Sequence, residues 1–177
     1  MSRDRQLRIG VTDLLHRPGT RREVRRSVRV GGLEVSSAAV PDDAEIDIDL
    51  VVESTADPGT LTITGHLRVP WVGQCRRCLG AIEGDLDVEV LEVAARHPDD
   101  EDIWALQGDE LDLSEMVREA ALLALPIAPL CDESCRGPVP DEFPARPAGE
   151  AADDAGPADG GRRDERWAAL DDLRFDA

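Results

Sequence analysis

The four cysteines of this chain are the residues whose types and spacing best suit a chemical role. They stand in two close pairs, Cys75 with Cys78 and Cys131 with Cys135. Two thiolates on one tight turn can point to a common centre about 2.3 Å away, and two such pairs complete a tetrahedron. The pattern therefore predicts a structural zinc site in which all four cysteines are ligands.

Two other interpretations of the cysteines stay open from the sequence alone, namely thiols that bind nothing and redox or disulfide chemistry. A thioredoxin-like motif places its C-x2-C between a strand and a helix N-terminus, whereas strand patterns flank Cys75 and Cys78 on both sides. A catalytic zinc needs an open position, and four cysteines close the shell. The histidines have no partner at ligand or triad spacing, so we do not expect an enzyme.

Hydrophobic alternation indicates the elements that must position the cysteines. Apolar and polar residues alternate over 46–53, 61–71 and 82–90, as is typical of half-buried strands. Short links between these segments favour an antiparallel sheet with one wet face. Gly65 interrupts the second segment and is interpreted as a bulge. Cys75 and Cys78 then lie between the second and third of these strands.

A helical pattern follows the strands, with an apolar stripe over residues 113–124. Asp112 is interpreted as the N-cap, Glu115 as its capping-box partner, and Pro126 as the end of the helix. The second cysteine pair comes just after this end. The sequence therefore predicts an α+β fold in which one main helix covers an antiparallel sheet. A zinc ion bound by the four cysteines would link the sheet to the end of this helix.

The chain has 177 residues and a formal net charge of -18, which is enough length for one domain with a real core. We expect that domain over residues 1–137. Residues 138–163 are rich in proline, glycine, alanine and acids and predict a disordered linker, and 164–177 predict a short helix that docks on the domain. No membrane span or secretory signal is recognisable, so the expected location is cytoplasmic.

The charge is unevenly distributed along the chain. Residues 1–30 carry +6 and the other 147 carry -24. Such a split suggests a local basic surface on an otherwise acidic body. Its candidate residues, near the N-terminus and between the first two cysteines, are Arg21, Arg22, Arg25, Arg26, Arg76 and Arg77. An alternative is that the N-terminal arginines pair with the domain's own acids.

Several motifs together resemble the YceD family, which is linked to accumulation of large-subunit ribosomal RNA. The resembling segments are 14–19, 74–79, 111–126, 129–135 and 164–170, the last of which contains Trp167. The resemblance implies a non-catalytic ribosome biogenesis factor that supports accumulation or processing of 23S ribosomal RNA. The implied partner is precursor large-subunit RNA, and the six arginines of the basic surface are then the candidate RNA-binding residues, because guanidinium groups bind phosphate bidentately. A second hypothesis is an acidic assembly chaperone for a basic large-subunit ribosomal protein, since the -24 remainder complements such a client.

One departure from the family pattern concerns the cysteines. Many relatives continue after the last position of this set with a Gly-Leu-Cys-Pro-x-Cys-Gly run. Val139 and Glu142 stand here where those further cysteines would be. Four cysteines, the minimum for one closed site, are therefore the whole thiolate set of this chain.

Overall fold

The structure is a computed structural model that describes residues 7–98 and 100–138. Within that part of the chain, nine strands and two helices occur. The strands are β1 (Arg8–Gly10), β2 (Arg21–Val28), β3 (Glu34–Val35), β4 (Ala38–Ala39), β5 (Ile46–Ser54), β6 (Thr60–Gln74), β7 (Ala81–Ala95), β8 (Trp104–Ala105) and β9 (Glu110–Asp112). The helices are α1 (Thr12–His16) and α2 (Ser114–Ala124).

The main sheet is built around the hairpin of β6 and β7. These 15-residue strands pair along their whole length, from Thr60 opposite Ala95 to Gln74 opposite Ala81. On its other side β6 pairs with β5 and, near its C-terminal end, with β4, while β2 pairs with β5. All of these pairings are antiparallel, and the short β7–β8 pairing is parallel. The predicted antiparallel sheet is confirmed.

Apolar and polar residues alternate along these strands, so one face of the sheet is buried, because successive side chains point to opposite sides of a strand. The buried positions of β5 and β6 form the centre of the core: Ile46, Ile48, Leu50, Val52, Leu61, Ile63, Leu67 and Val69. Helix α1 packs against β5 and β6, and α2 packs against β6 and β7. The buried residues of α2 are Met116, Val117 and Ala121. The fold is therefore mostly antiparallel sheet with few helices.

The expectation that one main helix covers the sheet is not supported. Helix α2 has 11 residues and spans about 16 Å at 1.5 Å per residue. Strand β6, with 15 residues, extends over about 50 Å. The remaining apolar face is covered by α1 and by the separate β1–β9 ribbon, in which Ile9 and Leu111 pair and are both buried.

The interpretation of Gly65 as a bulge is wrong. Gly65 pairs with Leu50 on one side and Val90 on the other, and no extra residue enters either register. Its φ of 143° lies where glycine is favoured. A Cβ at this position would clash with the carbonyl oxygen of Asp49 and come within 2.9 Å of the Leu50 Cα. Glycine therefore permits a close approach of two backbones.

The predicted capping box of α2 does not form, because the N-cap residue is Leu113 and its side chain has no hydrogen-bonding group. Asp112 lies one residue earlier and still serves the helix start: its Oδ1 accepts the Ser114 N–H at 3.0 Å. The other carboxylate oxygen accepts the Nε–H of Arg8 at 2.9 Å. Partial burial opposes ionisation of this carboxyl, but the hydrogen bonds from Ser114 and Arg8 outweigh it and lower the pKa of Asp112.

Two sequence predictions concern regions beyond this architecture. The expected linker over 138–163, apart from Pro138, and the expected terminal helix over 164–177 lie outside the described residues. They stay predictions, as does the boundary of the domain at residue 137. Among the residues that the structure describes, no helix is both long enough and apolar enough to cross a membrane.

Candidate metal centre

The first cysteine pair lies on the turn that joins β6 to β7, as predicted. The N–H of Cys75 donates to the Gly80 carbonyl at 2.9 Å, and the N–H of Leu79 donates to the Cys75 carbonyl at 2.9 Å. Leu79 has a φ of 60°, the left-handed conformation that lets the chain reverse. These bonds form a compact turn that holds Cys75 and Cys78 beside each other.

The second cysteine pair reaches the same place after α2 ends. The helix stops at Ala124 because Leu125 is extended before Pro126. The Arg76 N–H then donates to the Pro129 carbonyl at 2.9 Å, which brings the returning chain against the hairpin tip. A second turn follows, in which the Cys135 N–H donates to the Asp132 carbonyl at 3.0 Å.

The four sulfur atoms lie within 4.8 Å of one another. The Sγ atoms of Cys75 and Cys135 are 3.8 Å apart, and those of Cys78 and Cys131 are 3.7 Å apart. A tetrahedral ion with metal–sulfur bonds of about 2.3 Å has edges of about 3.8 Å, whereas a disulfide needs about 2.0 Å. The four thiols are therefore spaced for a shared metal ion, and the residues fit the predicted ligand set.

Backbone N–H groups of the two turns favour ionisation of the innermost thiol. Cys75 is fully buried, and hydrogen bonds from the backbone of Cys78, then of Cys131 and Arg77, lower its pKa to about 6. Contacts with the neighbouring sulfurs, first that of Cys135, raise the pKa of Cys131 to about 12. Cys75 therefore ionises before Cys131, and a metal must displace the proton that Cys131 retains.

The two arginines between the first cysteines have different surroundings. One Nη of Arg77 donates to the backbone carbonyls of Glu133 and Cys135, at 2.9 and 2.8 Å. Its side chain therefore ties the second turn to the first. The side chain of Arg76 is exposed and makes no hydrogen bond or ion pair with any part of the chain that the structure describes. Arg76 is thus the freer of the two for an external partner.

The four N-terminal arginines of the predicted RNA surface lie on β2, where alternation divides them between two faces. Arg25 pairs with Asp49 at 3.2 Å, and Arg22 pairs with Asp13 at 2.8 Å. For these two residues the alternative interpretation, pairing with the domain's own acids, is observed. Arg21 and Arg26 have no ion pair within the described residues. RNA binding by this set stays a prediction.

Sequence analysis predicted one solvent-exposed face of the main sheet but missed the groove that lies between its acidic strands. Strands β5 and β7 flank β6 and both present carboxylates on this face, which encloses a groove of about 720 Å³. Within it the His66 imidazole lies 2.9 Å from Asp87, and Arg68 donates to Asp85 at 3.1 Å. The alternation of charged residues at 47–49 and 83–89 was the available signal, but the neighbours of each strand were not known.

Fold and site define an α+β protein with a candidate four-cysteine metal centre. A family model described as Large ribosomal RNA subunit accumulation protein YceD matches residues 63–174. The chain belongs to the YceD family, as its motifs predicted.

Similar proteins include an uncharacterized protein of Mycobacterium tuberculosis and one of Mycobacterium bovis, each 32% identical over 143 residues, which cover 75% of this chain and 67% of the relative. An uncharacterized protein of Mycobacterium leprae is 27% identical over 135 residues, with 72% and 61% covered. No solved structure matches the chain.

Proposed function

We propose that this protein is a non-catalytic ribosome biogenesis factor that supports accumulation or processing of large-subunit (23S) ribosomal RNA. The observation that carries the proposal is the match of residues 63–174 to a family described by accumulation of the large ribosomal RNA subunit. Both cysteine pairs lie inside the matched range. In a bacterial cell ribosomes are assembled in the cytoplasm, which is therefore the proposed location.

We infer that Cys75, Cys78, Cys131 and Cys135 hold a structural zinc ion. The sulfur separations of 3.7 and 3.8 Å support this, since they equal the edges of a zinc–thiolate tetrahedron. Thiolates are ligands that zinc accepts readily, and four of them leave no position for a substrate. The role of these residues is to fix the β6–β7 turn to the segment that follows α2.

Direct contact with RNA is proposed through the arginines that the domain itself leaves unpaired. Arg21, Arg26 and Arg76 have no ion pair within the described residues, so their guanidinium groups keep their full capacity for phosphate. Binding through three such groups falls steeply as salt concentration rises. Arg22, Arg25 and Arg77 would have to exchange existing partners first.

Deletion of the gene in its own host tests the proposed function. We expect the ratio of 23S to 16S ribosomal RNA to fall, and the wild-type gene to restore it. A variant with Arg21→Ala, Arg26→Ala and Arg76→Ala should restore it poorly. The matched control, Arg17→Ala with Arg29→Ala and Arg136→Ala, removes the same charge from other exposed positions and should restore it fully. An unchanged ratio after deletion contradicts the proposed function.

A further inference from the structure

The wet face of the main sheet carries two parallel ridges of carboxylates. Their exposed members are Asp47, Asp49 and Glu53 on β5, and Glu83, Asp85, Asp87 and Glu89 on β7. Strand β6 lies between β5 and β7. Since neighbouring strands are about 4.8 Å apart, the two ridges are about 10 Å apart.

The cations on this face neutralise only part of each ridge. Arg25 pairs with Asp49, His66 with Asp87, and Arg68 with Asp85. The carboxylates that have no cationic partner within 4.0 Å, among the described residues, are Asp47, Glu53, Glu83 and Glu89. The hydrogen bond and charge of Asp85, followed by the charges of Asp47 and Asp87, raise the pKa of Arg68. A negative potential therefore persists along the two ridges.

The space between the ridges is a groove rather than a flat surface. Its volume of about 720 Å³ lies within the range of about 300–1,000 Å³ typical of binding pockets. Arg68 and His66 are on its floor, Asp47 and Asp49 on one side, and Asp85 and Asp87 on the other. Arg25 and Arg26 also line the groove, and Glu53, Glu83 and Glu89 extend the acidic ridges beyond its lining.

We propose that this groove binds an extended, lysine- and arginine-rich segment of a partner protein. Alternate side chains of an extended chain repeat about every 6.8 Å, which equals the spacing of successive carboxylates along β7. A segment of about six residues would span the ridge from Glu83 to Glu89. Leu91, which is 75% exposed on the same face, offers apolar contact to the aliphatic stems of such side chains.

The charge of the face favours a basic polypeptide over RNA at this place. The seven carboxylates of the ridges outnumber the arginines near them, which are Arg21, Arg25 and Arg68 on this face and Arg26 at the groove, so phosphate groups are repelled while ammonium and guanidinium groups are attracted. The inference rests on the proposed function in one respect: in ribosome assembly, the partner that fits this chemistry is a basic protein of the large subunit. Arg26 lines the same groove and Arg21 lies opposite Glu53 on the neighbouring strand, so of the proposed RNA contacts only Arg76 lies away from this face.

A fluorescent 12-residue peptide of alternating arginine and serine tests the groove. The groove variant combines Asp47→Asn in the groove with Glu53→Gln, Glu83→Gln and Glu89→Gln on the ridges beyond its lining, and it removes only carboxylates without a cationic partner. The matched control combines Asp42→Asn, Asp43→Asn, Glu110→Gln and Glu119→Gln, which are exposed positions elsewhere. Both variants change the net charge by the same amount, so attraction by overall charge affects them equally.

We expect the groove variant to bind the peptide at least about tenfold more weakly and the control to change less than about twofold. Equal weakening of both variants, or no peptide binding by the wild-type protein, overturns the inference. A single-stranded RNA oligonucleotide should bind the groove variant no more weakly than the wild type. Weaker RNA binding by the groove variant would assign the groove to RNA and overturn it as well.

A second measurement uses the wild-type chain alone and so does not depend on the folding of a variant. In NMR titrations with the same peptide, resonances of His66 and Leu91 should shift, while those of Leu123, exposed on α2, should not. Shifts confined to other surfaces overturn the inference. Absent peptide binding together with an RNA defect on gene deletion rejects the groove and leaves the proposed function standing.

Discussion

The two ends of the β6–β7 hairpin are stabilised in different ways. Where β6 begins, it pairs with β5 on one side and β7 on the other, and Leu61 and Ile63 are fully buried. Where β6 ends, Val72 is 40% exposed and Leu79 on the turn is 66% exposed. The first end is held by apolar burial, and the second contacts the chain after α2 at the thiol cluster and through hydrogen bonds of Arg76 and Arg77.

This difference shows how two strands can extend beyond the apolar core that supports them. The strands extend beyond the apolar core, so the hairpin tip has little hydrophobic surface to bury. A four-thiolate ion can supply the missing cross-link, since structural zinc sites contribute folding free energy directly. We therefore expect the tip to open locally when the metal is lost, while the core end stays folded.

Replacement of Cys131 should have the largest effect and should act on the tip alone. Cys131 is exposed, so Cys131→Ser removes a ligand without disturbing the core. We expect bound zinc to fall from about one equivalent to none. When free zinc is 1,000 times its Kd, the variant should therefore lack about 4 kcal/mol of the free energy of unfolding that zinc gives the wild-type protein. Metal analysis and thermal unfolding with and without zinc measure both. Full zinc content in the variant would refute the ligand set, and wild-type protein treated with a chelator is the control.

A core substitution should have the next largest effect and should leave the metal in place. Ile63 is fully buried, so Ile63→Ala should lower the free energy of unfolding by about 3 kcal/mol through lost burial and a cavity. Urea unfolding measures this change. Leu123→Ala, at a position 79% exposed, should change it by less than about 0.5 kcal/mol. Zinc release by Ile63→Ala under native conditions would show that the two ends are coupled.

The contacts of Arg77 allow a smaller change at the tip. Arg77→Gln removes the hydrogen bonds to the carbonyls of Glu133 and Cys135, so zinc affinity should fall about tenfold, as for other residues that position ligands. Competition with a chromophoric chelator measures it. Arg76→Gln is the matched control, because the same charge is lost from an unpaired side chain. Equal affinities of the two variants would mean that Arg77 does not position the second turn.

The smallest effect on stability is expected at Asp112, which lies at the end of β9 and away from the hairpin tip. Asp112→Asn weakens the hydrogen bonds to Ser114 and Arg8 and should cost about 1 kcal/mol at pH 7. Because the pKa of Asp112 is lowered on folding, its stabilising contribution is present above its unfolded pKa of about 4 and is lost as pH falls through its folded pKa. Urea unfolding of both proteins at pH 7 and pH 2 checks this. A difference that persists at pH 2 contradicts the assignment.

The parts of the fold that repeat a simple period were predictable from the sequence. Ile46, Ile48 and Leu50 alternate with acids, and each is buried as predicted. The cysteine cluster was also predictable, because each pair lies on a turn whose geometry depends on a few local residues. The family followed from the order of the motifs rather than from any one of them.

Features that depend on distant parts of the chain could not be predicted in this way. Strands β1 and β9 have three residues each and pair across about a hundred positions, too short a stretch for alternation to be recognised. Gly65 is required by the approach of Asp49 and Leu50, which belong to another strand. The division of the arginines between two faces depends on β2 being a strand, and their partners lie on β5 and α1.

Strand β2 also has a consequence for the solubility of the protein. Within the described residues it pairs only with β5, so its outer edge presents free backbone donors and acceptors to a second sheet. Arginines at an edge oppose such sheet-to-sheet aggregation, because their charge cannot be buried against another strand. In a chain without lysine, Arg21, Arg22, Arg25 and Arg26 fill this protective role, and a variant that removes all four should self-associate whatever the protein binds.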